Sequence, residues 1–161
     1  MLSRQEIEQH LKNPNVRKML GVIASAEGVK HGYNTMFGNE RLSDLSKHPG
    51  ILKEFTQTDG KKNKTSAAGR YQFLEPTWNG LAKQLGLKDF SPKSQDIAAV
   101  ALLAQNGALP HVLKGDIPTA VKKSGGTWAS LPSAPDSYKQ PKKTWSDIGM
   151  SGSTFDRVKG K

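Results

Sequence analysis

The sequence predicts an α+β fold, predominantly helical, with a small β lobe flanking a cleft. Three observations carry this prediction. Apolar residues at helical spacing, punctuated by caps, recur before residue 28 and after residue 74. Between 29 and 70 that periodicity fails, and Gly, Asn, Asp, Ser and Lys take over. A length of 161 residues supports one substantial core but not two.

Taken in order, Ser3 and Glu6 form a capping box, and Ile7 and Leu11 give a short first helix its apolar stripe. Asn13 caps a second helix with Pro14 in its first turn, expected over 14–27 with Val16, Met19, Leu20 and Ile23 inward. The segment 29–70 reads as short strands and loops, with a hairpin turn at Asp59-Gly60, and suits the wall of a cleft beside the second helix's end. Trp78, Leu81, Ala82 and Leu85 share one face of a third helix that starts near Pro76 and stops at Gly86. Ser91-Pro92 opens a fourth helix with Ile97, Val100, Ala101 and Ala104 inward, closed by Gly107. Two shorter helices follow, over 108–114 and, capped by Asp116, over 117–123, then a turn at 127–131 that places Trp128 inside.

These elements define a domain over 1–132. Beyond Pro132 the prolines 135 and 141 and sparse apolar residues read as a basic extension, 133–161, loosely packed or docked on the domain. From 139 to 161 it carries six basic residues against two acidic ones, and Trp145, Ile148, Met150 and Phe155 could dock it.

There is no cysteine, which excludes disulfides, thiolate metal sites and cysteine nucleophiles. The four histidines have no partners at metal-ligand spacing, so no metal or cofactor is expected. The longest apolar run, 97–104, is too short to span a bilayer, and no leader is recognisable, so synthesis in a cytoplasm is expected. The net charge of +10 points to an anionic partner. It is spread along the chain, with no Arg-rich recognition helix, zinc-finger spacing or RNP-type strand, so nucleic acid is not the expected partner.

One carboxylate stands out. In Leu20-Gly-Val-Ile-Ala-Ser-Ala-Glu27-Gly28, Glu27 shares a helical face with Leu20, Ile23 and Ala24 and sits at the helix C-terminus. Desolvation and the negative end of the helix dipole both favour its protonated form, as a general acid requires. Taken alone, a single Glu is more often a surface helix-end residue or half of an ion pair. Asp44, Asp59, Glu75 and Asp89 lie in no setting that marks a catalytic partner. Gly69 is expected to permit a backbone conformation or a close approach. Tyr33 and Tyr71 either stack on a ligand or pack, with packing expected for Tyr71. His31 is a candidate cleft-wall residue, and Trp78 and Trp128 read as core.

The stretch Ser66-Ala-Ala-Gly69-Arg-Tyr-Gln72-Phe-Leu-Glu-Pro76-Thr-Trp78, downstream of a Glu that ends an apolar helix, resembles the lytic transglycosylase and goose-type lysozyme group. More closely, the chain resembles the lambda-type phage endolysins. Glu27-Gly28, His31-Gly-Tyr33, Ala68-Gly-Arg-Tyr-Gln72, the block 86–96, Gly107-Ala-Leu-Pro110, Gly115-Asp-Ile117 and Trp128-Ala-Ser-Leu-Pro132 match in one order over about 19–132. Past Pro132 the family's last amphipathic helix has no counterpart, and the loop between Gly28 and His31 is shorter than the family's.

The resemblance implies a lysozyme-like fold and cleavage of the β-1,4 bond between N-acetylmuramic acid and N-acetylglucosamine in peptidoglycan. It makes Glu27 the acid and then the base, with the sugar's own C6 hydroxyl closing a 1,6-anhydro ring, and needs no metal. It places Ser66 and Gln72 in the cleft, near the acid or an acetamido sugar; plain turn and cap bonding is the alternative for both. The expected substrate-binding set is thus His31, Tyr33, Ser66, Gly69, Tyr71 and Gln72. The expected partners are peptidoglycan glycan strands, with an anionic envelope or membrane surface meeting the basic tail, in a monomer. The expected place of action is the periplasm, reached from the host cytoplasm through a separate pore. Two other readings stay open at this level: a hydrolytic muramidase using Glu27 with an activated water, aided by Asp44 or Asp59, and a non-catalytic basic protein that disrupts envelopes.

Overall fold

The computed structural model describes residues 2–150; Phe155 and the basic residues Arg157, Lys159 and Lys161 lie outside the described residues. The helices begin and end where local chemistry directs. In α1 (Arg4–His10) the Ser3 hydroxyl accepts from the Glu6 N–H while the Glu6 carboxylate accepts from the Ser3 N–H. Asn13 caps α2 (Pro14–Glu27), and Gly28, at φ 67°, ends it in the left-handed conformation that glycine adopts most readily. α3 (Glu75–Leu85) ends at Gly86, α4 (Pro92–Gln105) is capped by Ser91, α5 (Leu109–Leu113) is short, and α6 (Ile117–Ser124) is capped by Asp116.

α4 differs from the expected one-sided helix. Besides Ile97, Val100 and Ala101, it buries Ala98, Ala99, Leu102 and Leu103, so apolar groups cover every side. A helix apolar all round belongs at the centre of a core, and α4 packs against α1, α2, α3 and α5.

The β lobe comprises two antiparallel pairs: β1 (Thr35–Met36) with β2 (Glu40–Arg41), and β3 (Lys53–Thr56) with β4 (Lys62–Thr65). The second is a hairpin in register Lys53 to Thr65 and Thr56 to Lys62, turning through Asp59-Gly60 as expected. Single bridges from Ala68 to Met36 and Phe73 join the lobe to the loop before α3.

Polar groups on α4 hold that loop against the helices. Asp96, buried, accepts from the Tyr71 hydroxyl at 2.5 Å, from the Tyr33 hydroxyl at 3.0 Å and from Arg17 at 2.7 Å. The neighbouring Gln95 accepts from the Arg70 N–H at 2.8 Å and donates to the carbonyls of Phe90 and Tyr33. A buried carboxylate is tolerated when it is paired and fully hydrogen-bonded. Here that requirement brings α2, the β lobe and the 69–72 loop onto α4.

Residues 133–150 lie on this body. Trp145 and Ile148 are buried in the common core. The Lys143 N–H donates to the Ser130 carbonyl at 2.7 Å, and the Lys139 carbonyl accepts from the Thr58 N–H at 2.8 Å. The segment 139–148 is therefore a strap bonded both to the hairpin and to the loop after α6.

Candidate active site

The end of α2 opens into a cleft of about 350 Å³. Glu27, Val29, Thr127, Trp128 and Ala129 line it from the helical side; Phe37, Phe55, Thr65, Ala67 and Gln72 line it from the β lobe, with Gln140 of the strap also in the lining. Phe37 and Phe55 pack on each other at 5.5 Å between ring centres. Among the described residues, Glu27 is the one ionisable side chain in this lining.

The electrostatics of Glu27 agree with its position in the sequence. Burial raises its carboxyl from 4.5 to about 7, opposed by a hydrogen bond from the Ser130 hydroxyl to Oε2 and by the positive charge of Lys143. A carboxyl that titrates near neutrality can both give and take a proton at the pH of a cell.

Gln72 reaches the same cleft. Its backbone has φ 52°, a conformation rare outside glycine, and its side-chain amide donates to the Gly69 carbonyl at 2.8 Å. That bond fixes the side chain in the wall.

The structure places the other expected substrate-binding residues elsewhere. Tyr71 is completely buried, packed as expected: its hydroxyl is committed to Asp96, and burial pushes its ionisation well above the ordinary tyrosine range. Tyr33 binds the same carboxylate and lies under the Arg70 guanidinium, 5.4 Å from its ring centre, outside the cleft lining. Ser66 is buried, and its hydroxyl accepts from the Glu75 N–H at 2.8 Å, capping α3 from a distance. Gly69, at φ 86°, has no room for a side chain: a Cβ there would lie 2.5 Å from Gln95 Oε1 and 2.8 Å from Phe90 Cζ. His31 precedes the turn Gly32–Asn34, where its N–H donates to Thr35 Oγ1 at 3.0 Å, and it too lies outside the lining. These residues build and brace the wall, whereas Glu27 and Gln72 face the space it encloses.

Sequence reasoning did not assign site roles to Ser130, Phe37, Phe55, Gln140 or Lys143. Ser130 falls inside the block Trp128-Ala-Ser-Leu-Pro132 that carries the resemblance, which was the available signal. The last two lie in the stretch read as an extension.

A family model described as endolysin matches residues 17–154. The chain belongs to the endolysin family. The family match runs on past Pro132, beyond the point where the resemblance was expected to stop, in keeping with a strap that packs on the core. Two curated endolysins are similar to it. That of Escherichia phage lambda is 43% identical, with 74% of this chain and 79% of the relative covered, and that of Escherichia phage P2 is 34% identical, with 74% and 81% covered. Among solved structures, bacteriophage lambda lysozyme complexed with a chitohexasaccharide superposes with a TM-score of 0.73 at 41% identity, covering 84% of this chain and 90% of that one. A second structure of the lambda lysozyme gives 0.67 at 39% identity, covering 74% and 80%. The fold is thus lysozyme-like, as the resemblance implied.

Proposed function

We propose that this endolysin degrades bacterial peptidoglycan by cleaving the β-1,4 bond between N-acetylmuramic acid and N-acetylglucosamine as a lytic transglycosylase, with Glu27 as its single acid and base. The observation that carries this reading is the absence of a second carboxylate among the described residues of the cleft lining. A hydrolase of the usual kind needs one as nucleophile or as the base that activates water, at a set separation from the acid. Asp44 and Asp59, the partners considered for such a reaction, are exposed and outside the lining.

The chemistry then runs on one group. Protonated Glu27 gives its proton to the glycosidic oxygen as the bond from that oxygen to C1 of the muramic acid breaks. The resulting carboxylate takes the proton of the C6 hydroxyl of the same sugar while O6 bonds to C1, closing a 1,6-anhydro ring. The acid is regenerated, and no water enters. The Ser130 hydroxyl supports the ionised form between the two steps, since a donor to a carboxylate is stronger than a neutral pair. Gln72, with its amide nitrogen held by Gly69, presents its oxygen to a donor such as an acetamido N–H.

A chitohexasaccharide, a β-1,4 chain of acetamido sugars, is the ligand in one lambda lysozyme structure, which supports a glycan strand as the occupant of the equivalent cleft here. The net charge of +10 suits an anionic envelope and predicts salt-sensitive lysis. On this reading the protein acts in the periplasm after passing a separate pore. Mass analysis of muropeptides from digested sacculi tests the chemistry: 1,6-anhydro ends weigh one water less than reducing ends, and a digest made wholly of reducing ends would establish a hydrolase instead.

A further inference from the structure

α2 carries no basic residue in its last turn, so nothing on the helix itself offsets the negative end of its dipole or faces an ionised Glu27. A cation from the far end of the chain occupies that place. The Lys143 N–H is bonded to the carbonyl of Ser130, the same residue whose hydroxyl holds Glu27 Oε2. Its Nζ lies 4.0 Å from the position a Cβ on Gly28 would take, directly beyond Glu27. The strap is fixed on both sides of this point, at Lys139 by the hairpin and at Trp145 and Ile148 by the core.

We propose that Lys143 is a positioning residue whose ammonium group, held over the end of α2 by the strap, stabilises Glu27 in its ionised form between the two halves of the reaction. The proposal rests on Glu27 being the acid and base of this enzyme. It assigns to the basic extension a task inside the active site, distinct from contact with the envelope.

The argument is a balance of opposing effects. Burial alone favours a carboxyl that keeps its proton, which serves bond cleavage but opposes removal of the C6 hydroxyl proton. Ser130 and Lys143 act the other way, one by a hydrogen bond and one by charge. Few other groups enter. The cleft lining holds no further ionisable side chain among the described residues. On the strap, hydrogen bonds from Thr144 hold the exposed Asp147 carboxylate below the ordinary aspartate range, with Lys143 as a lesser contributor. The adjacent Lys142 is bound to Asp136 and the Ala134 carbonyl, so it does not substitute. Because Lys143 is exposed, its effect is open to screening by salt.

The test compares the full chain with Lys143→Gln and Lys143→Arg variants. Glu27 is followed directly by carbon-detected NMR titration of its carboxyl, and the pH profile of muropeptide release from purified sacculi is recorded beside it. In Lys143→Gln the Glu27 titration is expected to move to higher pH, by up to about one pH unit, with the alkaline limb of the activity profile moving with it. Lys143→Arg restores both, and high salt moves the unmodified protein toward the Gln variant. Coincident Glu27 titrations in the unmodified protein and Lys143→Gln, or no response of the unmodified protein to salt, would overturn the proposal. The titration needs no turnover, so it stands apart from the acid–base reading, which fails separately if Glu27→Gln remains active.

Discussion

The Ser130 hydroxyl donates to Oε2 of Glu27, joining a helix end to a loop 103 residues further along the chain. It is a bond to a carboxyl whose burial favours the protonated form, and it acts in the opposite direction. Replacing Glu27 by Gln keeps an oxygen for Ser130 but removes the titrating proton. Muropeptide release should fall by about 10²- to 10⁴-fold, the usual worth of a general acid–base, with circular dichroism unchanged.

The same substitution should stabilise the fold on the alkaline side. A carboxyl raised from 4.5 unfolded to about 7 folded binds its proton more tightly in the native state. Its stabilising effect is complete below about pH 4.5 and is lost as pH rises through 7, an amount of roughly 3 kcal/mol. Urea unfolding should therefore show Glu27→Gln more stable than the unmodified protein at pH 8, and that advantage should vanish at pH 4.

His48 should impose the opposite slope. It is buried, its Nδ1 accepts from the Gly50 N–H at 3.0 Å, and its Nε2 consequently donates to the Phe73 carbonyl at 2.8 Å. Both nitrogens are used by the neutral ring, and burial holds its ionisation below the ordinary 6.5. The stability this confers is present above pH 6.5 and is lost as pH falls below it. Unfolding of a His48→Gln variant, which keeps a donor and an acceptor, should lack that acid-side component.

Tyr71→Phe distinguishes a brace from a sugar platform. Loss of the 2.5 Å bond to Asp96 leaves a buried carboxylate one donor short, at a cost of about 1–3 kcal/mol. Chemical denaturation should register that loss, while KM for glycan strands stays unchanged at temperatures where the variant is folded.

Trp145→Ala tests the strap as part of the core. The indole is buried, and its removal should cost roughly 3–5 kcal/mol, readable as a lowered midpoint of thermal unfolding. A loosely attached tail would tolerate the change with no shift.

Much of the helical framework was legible because caps are local. Ser3 with Glu6, Asn13 with Pro14, Ser91 with Pro92, and Gly28 and Gly86 each signal a boundary within a few residues, and the structure has helix ends at each. Glu27 was legible for the same reason, since the apolar face it ends is written in its own helix. The resemblance set Ser66 in the cleft beside Gln72, and Tyr71 and Gly69 with it, although packing was the expectation for Tyr71 and a close approach for Gly69, as the structure has them. Their actual partners, Asp96, Glu75 and Gln95, are decided by packing across the molecule, which spacing along one segment does not encode. The strap illustrates the same limit. Its few apolar residues form no stripe, so docking through Trp145 and Ile148 was one of two open expectations, and the core they enter is built by other elements.

Translation proceeds from Glu27 toward the strap, so Glu27 leaves the ribosome long before Gln140 and Lys143 do. A nascent chain stalled near residue 138 would carry Glu27 on its helix but would lack Gln140 of the cleft lining and the Lys143 cation beyond it. On the proposed mechanism, competence to cut is acquired late, when the strap ties the hairpin to the helical body.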